Sequence, residues 1–182
     1  MSLEKYCFGE IGDHEVICGN ERLFGGIKSI ALIKPNQTTI TDFTSNAEWD
    51  AAIADGSVKI IKEIRGEYAQ ASETTSESEV AGLPDRVDSF SHVLTWRDRA
   101  VTAGNSTLYD DLNEYTAGGV VWYEPKNSTI KIVDAIDVNF MAKLEVLADD
   151  KTVQVYAAQA MWDSIKLPVP SAAPSNADEI FD

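Results

Sequence analysis

Short segments in which apolar and polar residues alternate constrain this chain most, because a period of two fits a half-buried β-strand and not a helix. The clearest case is 89–96, where every second residue is apolar or aromatic: Phe90, His92, Leu94 and Trp96. The other face carries serines and a threonine. We therefore predict a strand here, with one face in a core.

Further strands are predicted wherever β-branched or aromatic residues lie between turn-forming residues. Gly25-Gly26 precedes the first and Pro35 follows it. We expect 57–71 to be one strand, interrupted at Lys62 and at Gly66, where a bulge is predicted. The last two strands should form a hairpin. The remaining predicted strands are 27–33, 38–43, 120–123, 129–140, 142–148 and 152–161.

Two short helices are predicted. The first spans 46–54, because Ser45 to Glu48 has the pattern of a capping box and Gly56 suits the left-handed position after a helix. The second spans 106–117 and begins at Ser106 or Thr107. Its apolar stripe and the glycines that end it are Leu108, Leu112, Tyr115, Gly118 and Gly119.

Three segments hold too little apolar material for a core. Residues 1–25 are interpreted as an N-terminal arm, and the acidic, hydroxyl-rich 72–86 as a long mobile loop. Residues 168–182 contain three of the six prolines and are interpreted as an extended tail. The fold class is therefore mainly β. We predict one antiparallel β-sandwich or barrel at 26–167, with one or two short flanking helices.

Charge narrows the classes of function. Thirty acidic and fifteen basic residues give a net charge of −15, which repels nucleic-acid phosphates and argues against sequence-specific binding. No apolar run is long enough for a membrane span, and the first residues lack the apolar core of a signal peptide. We expect a product of the cytosol.

Residues suited to catalysis or metal binding are sparse. His92 lies on an apolar strand face and is interpreted as a hydrogen-bonded core or interface histidine. His14, with Cys7, Cys18 and Asp13, matches no known metal-ligand spacing, and Asp134 is interpreted as a strand end or bulge. Motifs of Ser hydrolases, P-loops, zincins and EF-hands are absent. We predict no enzyme activity, no cofactor and no metal, although a pair of carboxylates could support hydrolysis.

The four tryptophans leave two alternatives open. Trp49 and Trp96 have periodic apolar neighbours and are predicted in the core. Trp122 and Trp162 are predicted to be more exposed, where they would serve either a protein interface or a sugar-stacking platform. A carbohydrate-binding β-sandwich module is therefore the alternative function.

Cys18, the segment GGIKSIAL at 25–32 and the triplet TDF at 41–43 resemble the opening of a family of phage proteins. This family comprises tail-tube-like virion proteins of tailed phages of Bacteroidales, crAss-like phages included. The resemblance implies a β-sandwich or barrel with a flanking helix, a long loop, and arms that contact adjacent subunits. Such a protein is made in the host cytoplasm and resides in the virion.

The resemblance also implies a function and partners. We expect a homo-oligomeric ring or tube segment of the tail or portal-tail junction, in contact with adjacent tail or portal proteins, with DNA only as passing cargo. A closed ring hides adhesive sheet edges. Tube, ring or collar, and head-decoration roles remain alternatives. The predicted subunit-interface residues are Gly25, Gly26, Glu73, Glu77, Glu79, Trp122, Trp162, Pro168 and Pro170.

The two cysteines yield a testable prediction. Free thiols carry no crosslink, so the double variant Cys7→Ser, Cys18→Ser should fold and assemble like the wild type. Denaturant unfolding measures this. A loss above about 2 kcal/mol would instead indicate a disulfide or a bound metal.

Overall fold

The computed structural model describes residues 26–35, 40–76, 86–133, 137–146 and 153–181. The strands are β1 (Ser29–Ile33), β2 (Val58–Ile61), β3 (Arg65–Ser76), β4 (Arg86–Asp98), β5 (Thr116–Ala117), β6 (Gly119–Glu124), β7 (Thr129–Val133), β8 (Val138–Glu145), β9 (Val155–Ser164) and β10 (Val169–Ala172). The helices are α1 (Asn46–Ala54), α2 (Ala103–Asn113) and α3 (Ala177–Phe181). A single 3-10 turn, Pro125–Asn127, joins β6 to β7.

The strands form two antiparallel sheets of five strands each. The first sheet has the order β10-β7-β6-β1-β2, and the second has the order β3-β4-β9-β8-β5. The described strands close no barrel. The predicted fold class, an antiparallel β-sandwich with short flanking helices, is confirmed, and so is the hairpin of β8 and β9.

The main core lies between the two sheets. Leu94 and Trp96 of β4 enter it from the second sheet, and Ile30 and Val120 enter it from the first. Helix α2 completes this core, because Tyr109 and Leu112 are buried in the same cluster. Tyr109 accepts a hydrogen bond from Trp96 Nε1 at 3.2 Å and donates one to Asp98 at 2.9 Å.

A second core covers the opposite face of the first sheet. Trp49 of α1 contacts Phe181 of α3 edge to face, with ring centroids 5.2 Å apart. Phe181 also stacks on Tyr123 of β6, and its carbonyl accepts a hydrogen bond from the Ser29 hydroxyl. The first sheet is therefore buried on both faces, which explains why β1 and β6 are almost continuously apolar.

This second core overturns the predicted extended tail. Residues of 168–182 form strand β10 at the edge of the first sheet and helix α3 against α1. Prolines are tolerated in an edge strand. The missed signal is the helical spacing i, i+3, i+4 of Ala177, Ile180 and Phe181, all of which are buried.

Helix α1 has the predicted bounds. Ser45 accepts a hydrogen bond from the Glu48 amide, and Gly56 has a φ of 76°. The second helix is confirmed, but its predicted start was wrong. Thr102 is the N-cap, with its hydroxyl 3.2 Å from the Asn105 amide nitrogen. The helix ends at Asn113, before the glycines expected to end it.

Two predicted long strands are each divided between the sheets. Residues 57–71 contain β2 of the first sheet and the beginning of β3 of the second, separated at Glu63, whose φ is 55°. Residues 129–140 likewise contain β7 and the start of β8, with 134–136 outside the described residues. A left-handed residue breaks an extended strand. A period-of-two pattern does not reveal such a change of sheet.

Three other predictions were wrong in whole or in part. Residues 40–43 form no strand, although Ile40 is buried. Residues 72–76 of the predicted mobile loop belong to β3 and pair with β4. Hydroxyl residues form strands readily when a partner supplies the ladder. Gly66 is not at a bulge: the register shifts lie at Gln70/Ser72 and Thr74/Thr75, whereas Gly66 allows close approach of Ile27.

Docking of α3 predicts a large effect at the C-terminus. Phe181→Ala should lower the free energy of unfolding by about 3–5 kcal/mol, because it leaves a cavity beside Trp49 and Tyr123. Chemical denaturation measures this loss. Val169→Ala is the control, since Val169 is 53% exposed and its truncation should cost less than about 1 kcal/mol. Equal, small losses for both variants would contradict docking of the helix.

Candidate assembly surface

The tryptophans predicted to be exposed are buried. Trp122 and Trp162 are 2% and 3% exposed and lie in the core between the sheets, and Trp49 and Trp96 are also buried, as predicted. Tyr68 stacks on Trp122 with ring centroids 5.1 Å apart. The expected exposure was wrong because both side chains occupy inward-facing positions of their strands. Neither contributes to a surface platform.

The other predicted interface residues are distributed over separate parts of the molecule. Gly26 and Glu73 are exposed, and Glu73 lies on β3. Pro170 is exposed on β10, at an edge of the other sheet, and Pro168 precedes it, half-buried. These residues do not form one patch. Of the residues considered in the sequence analysis, several lie outside the described part of the chain: Cys7, Asp13, His14, Cys18, Gly25, Glu77, Glu79 and Asp134.

His92 is a hydrogen-bonded core histidine, as predicted. Its Nε2 lies 2.9 Å from the Ser164 carbonyl oxygen, and its Nδ1 lies 2.7 Å from the Tyr68 hydroxyl. The ring stacks on Trp162 at 5.3 Å. Burial raises the pKa of Tyr68, which keeps its hydroxyl protonated as a donor. Both ring nitrogens of His92 are therefore occupied by hydrogen bonds within the core.

Four of the described strands lie at sheet edges, and three of them resist pairing with another strand. Strand β2 has four residues and β5 has two. Beside β5, the side chain of Asn113 bonds both the amide and the carbonyl of Ala142, and so occupies the adjoining edge of β8. In β10, Pro170 has no N–H, and a proline in a paired strand is tolerated where its nitrogen faces away from the neighbour. The open side of β10 therefore lacks a donor at Pro170.

The fourth edge strand, β3, is long and contains no proline. Its first part is covered, because Gly66 exchanges two backbone hydrogen bonds with Ile27. On the N-terminal side of Phe90, at residues 86–89, β4 no longer pairs with β9 and pairs with β3 alone. Residues 74–76 and 86–89 thus form a two-stranded extension of the second sheet. Together with Ser72 and Glu73 at its base, which lie opposite Ser91 and Phe90, this segment is here called the ribbon. The described side chains of 72–76 are all exposed.

A groove of about 450 Å³ lies on the outer face of the second sheet. The pairing registers place Arg65 opposite Arg97, Arg97 opposite Ala157, and Ala157 opposite Lys143. Three cations thus lie in one row across four strands, here called the cationic row. The next row contains Glu67, Thr95, Gln159 and Met141, and Met141 is 54% exposed. Sequence reasoning missed the row, although its members occupy the outward positions of alternating strands.

One carboxylate partly compensates the cationic row. Glu145 lies 3.0 Å from Lys143 Nζ and 3.8 Å from Arg97 Nη2. The hydrogen bond from Lys143, together with the charges of Lys143 and Arg97, holds the pKa of Glu145 below its usual range. The carboxylate of Glu145 is therefore shared between two cations of the row, Lys143 and Arg97.

Exposed apolar side chains are concentrated at one end of the β8–β9 hairpin and along the connection to β10. Leu144, Val146 and Val153 are about half exposed or more at the hairpin end. Ile165, Leu167 and Val169 alternate along the connection and are likewise exposed. These two groups lie at opposite ends of β9, and each exposes apolar surface that favours contact with another protein.

Comparison with protein-family models, with curated proteins and with solved structures finds no match for this chain. Among the described helices, none combines the length and apolarity that a membrane crossing requires. Within the described ranges, no three His, Cys, Asp or Glu side chains are grouped as metal ligands.

The contacts of His92 predict a purely structural effect of Tyr68→Phe. Removal of the hydroxyl leaves Nδ1 buried without its partner and should cost about 1–2 kcal/mol of unfolding free energy, measured in denaturant. Tyr115→Phe is the control. Its hydroxyl has no hydrogen-bond partner among the described residues, so the change should stay within about 0.5 kcal/mol. Unchanged stability of Tyr68→Phe would contradict this role.

Proposed function

We propose that this chain is a phage virion structural protein that forms a homo-oligomeric ring or tube segment of the tail or portal-tail junction. The observation that carries the proposal is the ribbon. A two-stranded extension with exposed side chains gains little stability from its own molecule, since an isolated pair of strands is marginal in water. A neighbouring subunit would supply the missing contacts.

The distribution of strand edges supports the same conclusion. Open edges are adhesive, and proteins usually shorten them, cover them or place proline in them. Strands β2, β5 and β10 have such protection, whereas the open side of the distal part of β3, away from β4, has no strand partner among the described residues. Retention of one long edge, together with exposed apolar side chains elsewhere on the surface, favours assembly with other copies or with adjacent tail or portal proteins.

The acidic composition fits a particle through which DNA passes as cargo. Each Lys or Arg that contacts phosphate releases counterions and would retard sliding. A subunit with a net charge of −15 has ample acidic surface to present to a passage. The virion location and the phage origin rest on the sequence resemblance.

Burial of all four tryptophans removes the basis of the carbohydrate-binding alternative. A sugar platform needs exposed, coplanar aromatic rings, and the rings that stack here, Tyr68 with Trp122 and His92 with Trp162, lie between the sheets. No described feature favours that alternative over assembly.

Negative-stain microscopy and sedimentation of the purified chain test the proposal. The wild type should form closed rings or short tubes of uniform diameter as its concentration rises. A protein that stays monomeric at every concentration, alone and with tail or portal proteins of the same particle, would contradict it.

A shortened ribbon tests which part of the chain is responsible. In this variant, Asn-Gly replaces 75–88 and joins Thr74 to Ser89, which are paired opposite each other. The core pairing, such as Tyr68 with Leu94, is retained, so the melting temperature should stay within a few degrees. Rings should be lost. Rings of normal diameter from this variant would exclude the ribbon as the assembly contact.

A further inference from the structure

We propose that the cationic row of one copy binds the acidic ribbon of a second copy, head to tail. The inference rests on the proposed function, since it names the contact through which copies assemble.

The cationic row is unfavourable in an isolated molecule. Arg65 and Arg97 are directly opposite each other on neighbouring strands, and like charges in that position are destabilising. Lys143 extends the row, which spans about 14 Å at the usual strand spacing. Among the described residues, Glu145 bonds to two members of the row, Arg97 and Lys143. An anionic partner would relieve the remaining repulsion.

The ribbon has the complementary charge. Its described acidic residues are Glu73 and Asp88, and its described basic residue is Arg86. Among its described residues, Glu73 on β3 and Asp88 on β4 are exposed. The ribbon is two strands wide, and therefore narrower than the four-strand groove that the row crosses. Its carboxylates suit the guanidinium groups of the row, which bind carboxylates in a bidentate manner.

Position on the sheet excludes binding within one molecule. Arg65 is at the beginning of β3 and Ser76 is at its end, so roughly 36 Å of strand separates the row from the distal ribbon. The ribbon continues the strand direction away from the groove. The contact must therefore join two copies, and because it joins different surfaces it produces a ring or a helical stack.

Charge reversal on each side tests the contact. The ribbon variant is Glu73→Lys with Asp88→Lys, and the row variant is Arg65→Glu with Lys143→Glu. Each alone should raise the concentration for half-maximal assembly at low salt at least about tenfold, because like charges then meet. All four side chains are exposed, so folding should be unaffected. Thermal unfolding checks this.

Complementation separates this contact from any other use of these charges. An equimolar mixture of the two variants, and a chain that carries all four substitutions, should assemble at concentrations within about threefold of the wild type. Arg65→Lys with Lys143→Arg is the matched control and should assemble normally. Loss of assembly that neither the mixture nor the combined chain restores would overturn the proposal, because the row would then bind a different acidic partner.

The outcomes distinguish this inference from the proposed function. Wild-type rings that are insensitive to both variants would overturn the ribbon contact and leave the ring function intact. Open head-to-tail chains that respond to the variants but never close would support the contact and count against the ring.

Discussion

Burial of both faces of the first sheet is the constraint on which the rest of the molecule depends. Strands β1 and β6 are apolar on both sides, so neither face tolerates water. The second sheet covers one face, and α1 with α3 covers the other. Because α1 and α3 pack on the first sheet, they do not cover the second one. The outer face and the distal ribbon of the second sheet therefore remain available for contacts.

Sequence patterns predicted the elements that are governed by local physics. The alternation around His92 and the capping serine of α1 are local signals, and both elements formed as predicted. The hairpin of β8 and β9 was similarly readable, because turn-forming residues separate two strand-like segments. These signals also sufficed for the fold class.

The errors arose where tertiary contacts decide the outcome. Periodicity cannot indicate which sheet a strand joins, so the division at Glu63 was not foreseen. The helical spacing of Ala177, Ile180 and Phe181 was masked by the prolines before it. Outward-facing Trp122 and Trp162 were expected because no pattern shows what lies opposite them, and the cationic row exists only after β3, β4, β9 and β8 are placed side by side.

The proline in β10 limits how many backbone partners each subunit accepts. Strands β2 and β5 are short, and β10 lacks a donor at Pro170. In the described part of the molecule, only the edge of β3 is therefore well suited to pair with a strand of another copy. Two copies that paired through β3 would leave no second long open edge among the described strands, so these strands alone would not extend into a continuous sheet across many copies. In the proposed assembly, growth beyond such a pair would therefore use side chains on the sheet faces, where complementary charge and not backbone pairing would select the neighbour.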